Sequence, residues 1–129
     1  MKIGIINTST ESSPLAKTFE MLCKLPPPEN IETQIYQSDQ FNPTLIKQDN
    51  IDYILMYGAT PQDDGLAKAI HKHSTIPLFY YLIPGYGEHE KRYHELDKSG
   101  IEVYFAIKTE TMKGSEDLIE RLRQLGEHP

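Results

Sequence analysis

The sequence has no tryptophan, a single cysteine (Cys23) in 129 residues, no long apolar run and no surplus of basic charge. One cysteine can form no bridge within the chain, which excludes a disulfide-stapled scaffold and makes a cytoplasmic setting the expectation. The apolar stretch Ile3 to Ile6 turns polar at Asn7, too short for a signal-peptide core or a membrane span, and no later run is long enough either. Thirteen lysines and arginines against nineteen aspartates and glutamates give a formal charge of -6. That is a poor footprint for nucleic acid, whose binding rests on neutralising phosphates. Neither nucleic acid nor a membrane is therefore expected as a partner. There is no internal repeat and no low-complexity tract, and Pro26 to Pro28 is too brief a connector to separate domains. Residues 1–129 are expected to form one domain, large enough to bury roughly two-thirds of the surface that the unfolded chain exposes.

What is present alternates. Lys2 to Ile6 is a short β-branched run suited to a strand buried on both faces, and the polar stretch Asn7 to Ser13 ends it. Ser13 before Pro14 is a helix start, and Leu15, Phe19, Leu22 and Cys23 then recur at helical spacing. Ile31 to Tyr36 alternates Ile31, Thr33 and Ile35 against Glu32, Gln34 and Tyr36, the pattern of an edge strand with one wetter face. Asn42 and Pro43 open a short helical turn through Ile46. Ile51 to Tyr57 is the next buried strand, and Gly65 to His73 its crossover helix, with Asp63 and Asp64 placed for the positive end of the helix dipole. Ile76 to Ile83 is the most apolar strand. A charged helix then runs to about Ser99, with Gly100 as its C-cap. Ile101 to Ile107 is a fifth strand. Ser115 caps a last helix whose Leu118, Ile119, Leu122 and Leu125 face inward, with Gly126 beyond its end.

Five strands alternating with helices imply an α/β fold of parallel strands joined by right-handed crossovers. Ligands of such sheets bind outside the carboxyl ends of the strands, where the winding reverses. Those ends are Asn7 to Ser13, Tyr57 to Gly65 and Pro84 to Tyr93. The first is the richest: Thr8, Ser9, Thr10, Ser12 and Ser13 set five hydroxyls between a strand and a helix N-terminus. Rotatable O–H donors and free backbone N–H groups at one spot suit a phosphate monoester. The same residue types also serve plain turns and helix caps.

The turn Thr8-Ser9-Thr10-Glu11-Ser12-Ser13 resembles the FMN-phosphate loop of flavodoxins, with hydroxyls at its first, third and last positions. The run Ile51 to Pro61 is similar to the strand that leads into their first flavin-flanking loop, and Gly85-Tyr86-Gly87 falls where the second belongs. The resemblance implies a flavodoxin-like three-layer α/β/α sandwich with a five-stranded parallel sheet in the order 2-1-3-4-5, FMN as cofactor, and electron transfer to a redox partner protein. It places Thr8, Ser9, Thr10, Ser12 and Ser13 on the phosphate, and Tyr57, Gly58, Ala59, Thr60, Gly85 and Tyr86 beside the isoalloxazine. With no tryptophan available, Tyr86 or Tyr57 covers the ring. Glu11 departs from the glycine of most flavodoxins. The length is closer to the flavodoxin-like activators of class Ib ribonucleotide reductase.

A second resemblance is to response-regulator receiver domains of the same topology, carried by Ile76-Pro77, Asp64-Gly65-Leu66 and Gly100. Their acid pair is Asn7 and Thr8 here, their phosphoacceptor aspartate is Tyr57, and Lys108 lies about one residue from their lysine. Lacking those carboxylates, the chain on this reading is a pseudo-receiver, which signals to a protein partner through the helix ending near Ser99 and the strand after it. Among other groups, His71 and His73 point to different sides of a helix, while His89, Glu90 and His94 lie near the second loop. Cys23 reads as a small core residue, and Phe79, Tyr80 and Tyr81 as core aromatics.

Overall fold

Alternating side-chain direction along five short strands builds the sheet. In this computed structural model the described residues are 2–7, 32–58, 60–83, 88–105 and 108–127, with the backbone alone for 125–127. The strands are β1 (Lys2–Asn7), β2 (Glu32–Gln37), β3 (Tyr53–Gly58), β4 (Leu78–Leu82) and β5 (Glu102–Phe105). They form one parallel sheet in the order β2-β1-β3-β4-β5, as expected. The described helices are α1 (Thr44–Gln48), α2 (Pro61–His73), α3 (His89–Lys98) and α4 (Ser115–Glu127). None is long and apolar enough to cross a membrane.

The strand register aligns Ile6, Met56, Tyr80 and, from β5, Val103 on one face. Against them pack Ile46 of α1, Ala67 and Ile70 of α2, and Tyr93 and Leu96 of α3. Ile5, Leu55 and Phe79 form a row on the opposite face, joined by Tyr57, Tyr81, Tyr104 and, from α4, Leu118, Ile119 and Leu122. Helices on both faces of a parallel sheet explain why β3 and β4 are apolar throughout rather than alternating.

Two local expectations need correction. The crossover helix begins at Pro61, not Gly65, because Thr60 caps it: its hydroxyl accepts from the Asp63 amide at 3.1 Å while its own amide donates to the Asp63 carboxylate at 3.1 Å. The last helix continues past Gly126 to Glu127, and Ser115 turns its hydroxyl to that of Tyr81, 2.7 Å away. The start of α4 is closed instead by the Gly114 amide, which donates to the Asp117 carboxylate at 2.7 Å. The edge strand β2 has one wetter face, as expected: Gln34 and Tyr36 are half-buried, while Ile35 is 64% exposed. Tyr36 explains this, since its ring stands edge-on to Phe41 and its hydroxyl donates to Asp49 at 2.7 Å. Gly100 does close α3, with a positive φ of 91° that suits glycine.

Candidate functional site

The chain winds from β1 outward to β2 and then back across to β3, β4 and β5, so the carboxyl ends of β1 and β3 lie side by side at the reversal point. Asn7 ends β1, and its carbonyl accepts from the Ser38 amide at 2.8 Å, which ties the turn after β2 to the same rim. Gly58 ends β3, and its carbonyl accepts from the Ile83 amide just beyond β4 at 3.0 Å. Thr60 follows as the cap of α2; capping uses its oxygen as acceptor, and its hydroxyl proton is still a donor. Asn7, Gly58 and Thr60 are thus brought to one end of the sheet. Thr8, Ser9, Thr10, Ser12, Ser13, Ala59, Gly85 and Tyr86 lie outside the described residues, as do Glu11 and Cys23.

Tyr57 is placed differently from its neighbours. Its side chain lies in the core, 1% exposed, with its ring 6.3 Å from that of Tyr81 and nearly parallel to it. The face that it turns inward is therefore occupied by protein. Gly58 also has an internal reason to be glycine: a Cβ there would overlap the hydroxyl of Tyr80.

That hydroxyl belongs to a buried polar cluster that local sequence reading missed. Asp64 stands in the first turn of α2, as expected for a partner of the helix dipole, and its carboxylate is also buried. It accepts from Arg92 Nε at 2.6 Å and Nη2 at 3.0 Å, and the Tyr80 hydroxyl donates to the same carboxylate. Arg92 and Asp64 are 8% and 9% exposed. Burial pushes the Tyr80 phenol well above its ordinary range, and the Asp64 carboxylate pushes it further. Burial alone would weaken the charge of Arg92, but its hydrogen bonds to Asp64 and the attraction between the two charges more than offset this. A signal was present in the sequence. Arg92 and Leu96 stand four apart and so share one helix face, which puts a cation on an inward stripe.

The remaining candidates are spread out. His89 lies flat on Phe105, ring centres 4.9 Å apart, and His94 meets Tyr93 edge-on. His71 and His73 are exposed on α2. Lys108, near the receiver lysine position, pairs with Asp117 at 3.4 Å. Among the described residues no group of three or more histidines, cysteines or acids is placed to hold a metal ion.

The sequence matches no protein-family model, and comparison with curated proteins finds no relative. Among solved structures, the chain is similar to a short-chain flavodoxin associated with a bacterial microcompartment. The TM-score is 0.52 at 13% sequence identity, over 98% of this chain and 95% of that one. With the strand order described above, this gives the chain a flavodoxin-like α/β fold.

Proposed function

We propose, on the premise of a flavodoxin-like fold, that the chain binds FMN at the carboxyl ends of β1 and β3 and passes electrons to a partner protein. The observation that carries this reading is the adjacency of the carboxyl ends of β1 and β3, at Asn7 and Gly58, at the reversal point of the sheet. The hydroxyl-rich residues Thr8 to Ser13 continue directly from Asn7. Of the two carboxylates that follow Thr60, Asp63 is turned into the cap and Asp64 is neutralised by Arg92. The residue set suits a phosphorylated planar cofactor: the hydroxyls of Thr8 to Ser13 for the phosphate, and the hydroxyl proton of Thr60 for the polar edge of a ring. Ring stacking is assigned to Tyr86, since the Tyr57 ring is packed inside.

In this role the flavin supplies the redox chemistry when bound. The chain's residues bind and orient it. Thr8, Ser9, Thr10, Ser12 and Ser13 donate hydrogen bonds to the phosphate, Gly58, Ala59 and Gly85 line the ring, and Thr60 offers it a hydroxyl proton. Titration of the purified protein with FMN tests the reading: stoichiometric quenching of flavin fluorescence and a yellow complex are expected. A colourless protein that leaves flavin fluorescence unchanged refutes it and leaves the pseudo-receiver, a module that works by protein contact alone.

A further inference from the structure

The cluster of Asp64, Arg92 and Tyr80 occupies a particular place. Asp64 is in the first turn of α2, beside the Asp63 that closes the Thr60 cap, and Arg92 is in the first turn of α3, its amide donating to the Glu88 carbonyl at 2.9 Å. The Tyr80 hydroxyl lies over Gly58, the last residue of β3. One network therefore touches the three points at which the chain leaves β3, enters α2 and enters α3. We propose that Asp64, Arg92 and Tyr80 are positioning residues for the ligand site, locking the first turns of α2 and α3 to each other and to the end of β3.

Stability alone gives no reason for charges here. Taking an aspartate and an arginine out of water carries a desolvation cost, and packed apolar side chains of similar volume often serve a fold as well or better. Arg92 Nη1, turned away from Asp64, adds to that cost: it is the one buried side-chain nitrogen or oxygen without a hydrogen-bond partner among the described residues. What the ion pair supplies and apolar packing does not is orientation. A guanidinium edge and a carboxylate meet in one planar geometry, and the tyrosine hydroxyl fixes which carboxylate oxygen faces the sheet.

The inference rests on the flavin reading only where it concerns affinity, so its test has two arms. The first needs no ligand. Hydrogen exchange at the amides of Asp63, Asp64 and Arg92 is compared between the natural protein and the apolar triple variant Asp64→Leu, Arg92→Met, Tyr80→Phe, whose melting temperature is expected to stay close to that of the natural protein. Exchange at both first turns should rise about tenfold or more while the sheet amides stay protected. Unchanged exchange at these turns, or a loss shared by every element, overturns the proposal. If the triple variant does not fold, Tyr80→Phe alone should raise exchange at Asp64, and unchanged exchange there overturns it equally. The second arm measures FMN affinity, expected to weaken about tenfold or more in the variant. An unchanged affinity in a protein that does bind FMN overturns the positioning role. A natural protein that binds no FMN refutes the flavin reading, and the exchange arm then decides the positioning role.

Discussion

Single residues hold the end of β3 in place. Gly58 has no room for a methyl group because the Tyr80 hydroxyl fills the position that its Cβ would take. The obstacle is held from behind by Asp64, so it does not swing away as a free side chain would. Gly58→Ala is therefore expected to destabilise the protein by about 1–3 kcal/mol, the range for overpacking a filled interior, read from the urea midpoint. Gly65 is the opposite case, since a Cβ there meets nothing within 4 Å in the exposed middle of α2. Gly65→Ala should raise stability by about 0.5–1 kcal/mol, because alanine has less backbone freedom to lose on folding. A fall in the urea midpoint for that variant would contradict the open surroundings. Both glycines look alike in the sequence. Only the neighbours that the fold brings to them separate a closed position from an open one.

Among the elements, α2 shows how local signals were legible and how one was overlooked. Thr60-Pro61-Gln62-Asp63 carries the same cap-then-proline pattern that marks Ser13-Pro14 and Asn42-Pro43, and Asp63 completes a reciprocal box with Thr60. Both acids do lie in the first turn, but starting the helix at Gly65 passed over the Thr60-Pro61 signal and came four residues late. Thr60→Ala should cost about 1 kcal/mol, measured by thermal or urea unfolding, because the Asp63 amide loses its acceptor at a helix start packed against the sheet. In α4 the expected serine cap gives way to Gly114 and Asp117, and Lys108 adds an ion pair at 3.4 Å. The Gly114 amide is the main reason that the Asp117 carboxyl is held below its ordinary range. The hydroxyl of Ser115 is drawn off by Tyr81, a partner 34 residues away that no local pattern reveals.

Across the whole molecule, the aromatic interior sets how stability depends on pH. Burial raises the phenol of Tyr53, and burial followed by a neighbouring carboxylate raises those of Tyr80 and Tyr104. A phenol raised in the folded state stays neutral there while its unfolded counterpart ionises. Its contribution is thus complete below the unfolded value of about 10 and is lost as pH rises above it. Urea midpoints should accordingly fall from about pH 10 upward, and phenolate absorbance from these tyrosines should appear at higher pH in the folded than in the unfolded protein. Phenolate absorbance that rises at the same pH in the folded and the unfolded protein would contradict this.

The amino-acid sequence by itself determined the alternation of strands and helices, and with it the parallel sheet, while the strand order followed from the resemblance to flavodoxins. Periodicity and caps are properties of neighbouring residues, so they can be read along the chain. The tertiary structure alone decided that the Tyr57 ring lies inside and that Asp64 meets Arg92, 28 residues further on. Those outcomes depend on which crossover packs beside which, and a buried charge is tolerated only where the fold delivers its partner.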